Sequence, residues 1–203
     1  MLRVGLTGSI AVGKSFVTGV LRELGCHTMD ADAVAREVVS PGSAGLKAVV
    51  DAFGNDVLAD DDSLDRKKLG SIVFGDETKR ELLNRILHPL IIERQDEQIR
   101  EWESQDPNGI AVVDAALMIE SGGYKRFDKL IVVHCKPEIQ LKRLMAREAI
   151  SRDEALRKIS SQMPQAEKLK FADYRIDTSG EFDETRRQTE IVYRELEALV
   201  KGK

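Results

Sequence analysis

Cysteine is nearly missing from this chain: Cys26 and Cys135 are the only two in 203 residues. They lie far apart, each at the edge of an apolar stretch, so they read as reduced packing residues and exclude a disulfide framework or a cysteine metal site. No run approaches the roughly 18 apolar residues that a membrane span needs. Positive charge is not in excess either. A formal net charge of −4 provides no broad field for nucleic acid or anionic membrane, while leaving room for a local basic groove. No internal repeat, low-complexity tract or calcium-loop pattern occurs. Met1-Leu2-Arg3 leads straight into an apolar run, so no signal or transit segment is expected and the expected location is cytoplasmic. What remains is an ordinary globular composition, 42% hydrophobic and 33% charged, at a length that suits one α/β folding unit with insertions.

The informative stretch is Leu2 to Phe16, LRVGLTGSIAVGKSF. Leu2 to Leu6 suit a buried parallel strand. Gly8, four intervening residues, Gly13, Lys14 and Ser15 then fit G-x-x-x-x-G-K-S/T, a phosphate loop. Glycine permits backbone angles at which successive N–H groups turn inward around phosphate oxygens. From Ser15 the apolar positions Val17, Val20, Leu21 and Leu24 carry helical spacing, so a helix aims its positive end at the loop. In that setting Lys14 reaches the β and γ phosphates of a nucleotide, and the Ser15 hydroxyl is the expected magnesium ligand.

Further along, Gly25 closes the first helix and Cys26 to Met29 form a second strand, followed by Asp30-Ala31-Asp32. Carboxylates at the end of a parallel strand stand where open α/β sheets bind ligands. Asp32 can equally cap the helix through Val34, Ala35 and Val38, with Arg36 one turn on. Leu46, Val49, Val50 and Phe53 space a helix ended by Gly54, and Asn55 to Asp62 read as a solvated loop. Asp65 to Gln105 is helical, with Leu83, Ile86, Leu87 and Leu90 as its stripe. His88-Pro89 is expected to kink or restart it. Ile110 to Val113 make a buried strand ending in Asp114. Leu130 to His134 make another, and Pro137 begins a helix at its first turn. Arg143 and Arg147 are four apart on one helical face. Ser151 and Glu154 read as a capping box, Tyr174 to Asp177 as a fifth strand, and Val192, Leu196 and Leu199 as the apolar side of a last helix.

Taken together, LTGSIAVGKS, DADAVAREVVSPG, LDRKKLGSIVF, NRILHPLI, VVDAALMIESG, QLKRLMAR and SSQMPQAEKLKFADYRID closely resemble the dephospho-CoA kinase family over nearly the whole chain. The resemblance implies an α/β, three-layer P-loop kinase fold with a five-stranded parallel sheet. It implies a core near 1–40, 108–140 and 172–203, a helical acceptor-binding subdomain near 41–107, and a lid near 141–171 that holds Arg143 and Arg147. It implies transfer of the γ phosphate of ATP to the ribose 3′-hydroxyl of dephospho-CoA, with magnesium, by a monomer or weak homo-oligomer. Carried onto this sequence, Asp32, Lys14 and Arg143 become the catalytic set. Gly8, Ser9, Ala11, Val12, Gly13, Lys14, Ser15, Phe16 and Arg147 become the ATP contacts. Asp30, Arg36, His88, Asp114, Glu120, Gln162 and Lys168 become the acceptor contacts.

The sequence departs from the family's usual G-G-x-G-S-G-K-S-T, with Ser9, Ala11, Val12 and Phe16 in place of glycine, glycine, serine and threonine. Ala11 and Val12 narrow the allowed backbone angles, so weaker ATP binding is expected. Ala116 and Thr178, where the family usually has proline and asparagine, are expected to be drift without a role. A regulatory GTPase would need N/T-K-x-D, which is absent. D-x-x-G at Asp51, Asp106 and Asp177 falls in unsuitable places. A kinase for another small hydroxyl acceptor and a non-catalytic nucleotide-binding module are the competing readings.

Overall fold

The computed structural model describes residues 1–202. Two compact units emerge, one built from Met1–Asp30 together with the chain from Trp102 onward, the other from Ala31–Glu101. The strands are β1 (Leu2–Thr7), β2 (His27–Asp30), β3 (Ile110–Asp114), β4 (Lys129–His134) and β5 (Tyr174–Asp177). Among the described residues the α-helices, in chain order, are α1 (Lys14–Glu23), α2 (Ala31–Glu37), α3 (Ala44–Phe53), α4 (Arg66–Val73), α5 (Glu77–Gln105), α6 (Pro137–Glu148), α7 (Arg152–Ser160), α8 (Gln165–Lys168) and α9 (Phe182–Lys201). None is long and apolar enough to cross a membrane.

All five strands lie in the first unit as one parallel sheet of order β2-β3-β1-β4-β5. Helices cover both faces of such sheets, which is why these strands read as continuous apolar runs instead of alternating ones. Val4, Leu6, Val112, Ile131, Val133 and Ile176 are fully buried, packed with Val17 and Leu21 of α1 and Val192 and Leu196 of α9. The register sets Leu6 beside Asp114, Asp114 beside Asp30, and His134 beside Asp177, so the strands' C-terminal ends form one rim. Helix α1 stops where Gly25 turns left-handed, φ +97. Gly25 N–H donates to Arg22 O and Cys26 N–H to Leu21 O, each at 3.0 Å, the paired closure that a C-terminal glycine permits. Strand β2 begins one residue later than the sequence suggests. In α9, Tyr193 and Val200 pack on the core while Leu199 is 39% exposed, so the apolar side is rotated from the expected one. Burial raises the Cys26 thiol to about 12 and raises Cys135 also; both are free and buried, as packing residues should be.

The second unit has its own core of Val39, Leu46, Val49, Val57 and Leu69, against which Leu83, Ile86 and Leu87 pack. Ser43 caps α3 by accepting from Leu46 N–H at 3.1 Å, and Asp65 caps α4 by accepting from the N–H groups of Lys67 and Lys68. Two expectations change here. The stretch after Gly54 is not wholly solvated, because Asn55–Val57 form a 3₁₀ turn that drives Val57 into the core at 0% exposure. Nor does His88-Pro89 restart the helix: α5 runs through it from Glu77 to Gln105. Proline removes a single donor, which a helix of that length tolerates. The break falls instead at Gly75, φ +83, before Asp76 caps the new helix by accepting from Lys79 N–H.

Candidate active site

The loop between β1 and α1 forms the centre of the rim. Gly8 must be glycine, because a Cβ there would sit 2.3 Å from the Val133 carbonyl oxygen of β4. Gly13 precedes α1 with φ +92. Ala11, where the family usually has glycine, takes the left-handed region itself with φ +59. Ser9 and Val12 are buried, so they anchor the loop. Lys14 and Ser15 open α1, with the Ser15 side chain exposed. The Phe16 ring packs on Phe182 with centroids 4.9 Å apart. Beside Gly13, a cavity of about 320 Å³ is lined by Phe16, Arg143, Thr178, Gly180 and Phe182 among others.

Side chains from three later elements grip this loop. Gln162 accepts from Ile10 N–H at 2.8 Å, Gln140 of α6 donates to Ile10 O at 2.8 Å, and the Thr178 hydroxyl donates to Val12 O at 2.5 Å. Thr178 in turn receives Arg143, whose guanidinium reaches its Oγ1 at 3.0 Å and its carbonyl at 2.8 Å. Thr178 is therefore not drift; it ties the loop to Arg143 and the end of β5. Arg147, four residues on, is exposed and pairs with Glu148 instead.

Lys168, expected on the acceptor side, is buried. Its side chain is 0% exposed, with the ammonium 2.9 Å from Glu120 Oε1 and donating to Ala116 O at 2.6 Å. Its amine is thereby held between Glu120 and Ala116. Burial pulls its pKa down against the pull of Glu120, and nearby Lys14 lowers it further. Burial would raise the Glu120 carboxyl, but hydrogen bonds led by Lys168 hold it below the ordinary range. Glu120 also accepts from Met163 N–H at 3.1 Å, so one carboxylate fastens the segment after β3 to the Gln162-Met163-Pro164 turn. Asp114, at the end of β3, accepts from the Thr18 hydroxyl of α1 at 3.0 Å.

Asp30 ends β2 on the same rim. In the second unit, Asp32 lies inside the first turn of α2, which already starts at Ala31, so it is not the residue preceding the helix as a simple cap would be. Arg36 falls in the last turn of α2, and His88 is an exposed residue of α5. Gln140, Gln165 and Phe182 escaped the sequence reading. For Gln140 a signal existed: it shares the buried side of α6 with Leu144, four residues on, and a buried amide there needs a polar partner.

The loop, the parallel sheet of this order and the flanking helices define a P-loop kinase fold. The chain belongs to the dephospho-CoA kinase family, whose pattern matches residues 2–184. A dephospho-CoA kinase from Carboxydothermus hydrogenoformans is 45% identical over 185 residues, 91% of this chain and 89% of that one. Among solved structures, a dephospho-CoA kinase from Campylobacter jejuni is 30% identical with a TM-score of 0.72 over 97% of each chain. A Thermus thermophilus protein is 27% identical with a TM-score of 0.82 over 96% of this chain and 97% of that one.

The Glu120–Lys168 pair yields a pH prediction. A carboxyl held below its unfolded value contributes stability that is full above that value and fades as pH falls through the folded pKa. Glu120→Gln leaves the buried ammonium without its counter-charge, at a cost of about 3 kcal/mol at pH 7. As pH falls through the lowered folded pKa of Glu120, the wild-type carboxyl takes up its proton and the two proteins converge. Urea unfolding of both across pH 3–7 checks this, and a stability gap of constant size contradicts the account.

Proposed function

We propose that this chain transfers the γ phosphate of ATP to the ribose 3′-hydroxyl of dephospho-CoA, giving coenzyme A and ADP. The observation that carries the reading is the phosphate loop, with Gly8, Gly13, Lys14 and Ser15 between β1 and α1, in a chain of this family. The 3′-oxygen forms the new bond to the γ phosphorus, the bond from that phosphorus to the bridging oxygen breaks, and the hydroxyl proton passes to a carboxylate. Lys14 meets the β and γ phosphates, where charge shifts most during transfer. The magnesium that this chemistry uses supplies positive charge along the phosphates. Among the described residues no group of three or more histidine, cysteine, aspartate or glutamate side chains could cage a metal, and the exposed Ser15 hydroxyl fits an ion held mostly by phosphate and water. The cavity at Gly13, with Phe16 and Phe182 on its walls, suits the base of the nucleotide, and Arg143 reaches the phosphates from its seat on Thr178. Residues 41–107 serve the acceptor and residues 141–171 act as the lid. Asp30, Arg36, His88 and Asp114 are the groups assigned to the acceptor side.

Asp32 is assigned the proton of the attacking hydroxyl. The transition state of phosphoryl transfer is loose, so the carboxylate's larger task is to aim the oxygen in line.

ADP release from purified protein with magnesium, ATP and a panel of acceptors tests the reaction. Dephospho-CoA is expected to stimulate release far above shikimate, gluconate or any nucleoside monophosphate, with the product phosphorylated at the 3′ position. Equal or greater stimulation by one of the others removes the assignment. Asp32→Asn keeps the shape and is expected to cut kcat by about 10²-fold or more, with thermal stability and ATP binding nearly unchanged. Normal turnover in Asp32→Asn with loss in Asp30→Asn would reverse the roles of the pair.

A further inference from the structure

Ala11 is an L-residue at φ +59 in the middle of the phosphate loop, where its Cβ crowds the following carbonyl and disfavours the conformation. Within the loop itself the local backbone bond is long, Val12 N–H to Ser9 O at 3.4 Å. The holding force comes from outside, on the Ser9–Ile10, Ile10–Ala11 and Val12–Gly13 peptides. Gln162 takes Ile10 N–H, Gln140 donates to Ile10 O, and Thr178 donates to Val12 O. Gln140 is 2% exposed and its amide cannot swing, because its Oε1 accepts from Gln165 Nε2 at 2.7 Å while Gln165 Oε1 accepts from Cys135 N–H at 3.0 Å. This relay runs from the end of β4 to the loop.

A trans peptide is planar, with C=O and N–H pointing in opposite directions. Fixing Ile10 C=O on Gln140 therefore fixes the Ala11 N–H on the other side, and fixing Val12 C=O on Thr178 does the same for the Gly13 N–H. Among the described residues neither of these two N–H groups donates to another protein group. We propose that Gln140 and Gln162, with Thr178, are positioning residues for nucleotide binding: they hold the loop amides in the phosphate-binding direction and take over the task of the glycine that position 11 lacks. The proposal rests on the reading of this loop as the nucleotide's phosphate site. Its consequence is a coupling specific to this sequence. A loop that reaches its binding shape only part of the time binds with an affinity reduced by that fraction, so the glutamines matter more with alanine at position 11 than with glycine.

The test is a cycle of Mg·ADP affinities by calorimetry, with a thermal midpoint for each protein. Gln140→Glu preserves size but turns a donor into an oxygen facing the Ile10 oxygen, and is expected to weaken binding roughly tenfold or more. Gln162→Glu makes the same chemical change where the side chain only accepts, and is expected to stay within about twofold of wild type. Adding Ala11→Gly to Gln140→Glu is expected to shrink the loss to about threefold relative to Ala11→Gly alone. If Gln140→Glu does not fold, the less buried Gln162→Ala replaces it. Its loss of about fivefold is expected to disappear in Gln162→Glu and to shrink with Ala11→Gly. Wild-type affinity in Gln140→Glu, or a loss of equal size with and without Ala11→Gly, overturns the proposal. A wild-type protein that binds no Mg·ADP overturns the nucleotide reading beneath it, and that result is visible before any variant is made.

Discussion

Backbone N–H groups can hold a phosphate only if they turn inward together, and that demand on the chain between Thr7 and Lys14 organises the core unit. It requires a glycine at Gly8, where the loop presses on Val133 O, and left-handed angles at Ala11 and Gly13. The left-handed region costs an ordinary residue roughly 1–2 kcal/mol. Each of the three side-chain hydrogen bonds on the loop peptides near Ala11 contributes about 1 kcal/mol net. The clamp is thus large enough to outweigh the strain, and it does so from α6, from the turn after α7 and from the end of β5. Elements separated by more than a hundred residues converge on one short loop for this reason.

The Glu120–Lys168 pair serves the same end by other means. A buried ammonium is costly unless its donors are met, and here they are met by Ala116 O and both oxygens of Glu120. Replacing such a pair by apolar side chains is often neutral for stability, so stability alone does not account for it. What the pair adds is attachment. Through Met163 N–H it fixes the turn that carries Gln162, and through Ala116 it reaches the segment following β3, where the Thr7 hydroxyl also donates at 3.3 Å.

Much of this was legible in the residues. The strands that run as unbroken apolar stretches, the Ser151–Glu154 capping box, Pro137 at the start of α6 and Gly25 at the end of α1 each follow from local chemistry, and local chemistry is what a sequence displays. The loop motif and the family segments around it carried the site. What stayed hidden depends on contacts across long separations. Thr178 looked idle because nothing near it in sequence hints that Val12 O needs a donor. The burial of Lys168 could not be read without knowing that Glu120 and Ala116 surround its amine. A new helix start at Pro89 was one of two readings, and it failed because the cost of one missing bond is small against a 29-residue helix.

The central claim is that the loop's own amides, held in place from outside, grip the nucleotide's phosphates. Its most direct measurement is hydrogen exchange resolved to single amides over residues 8–15, with and without Mg·ADP. The account predicts slowed exchange at the Ala11 and Gly13 N–H groups on binding. Binding of Mg·ADP that leaves those two amides exchanging at their unliganded rates would contradict it.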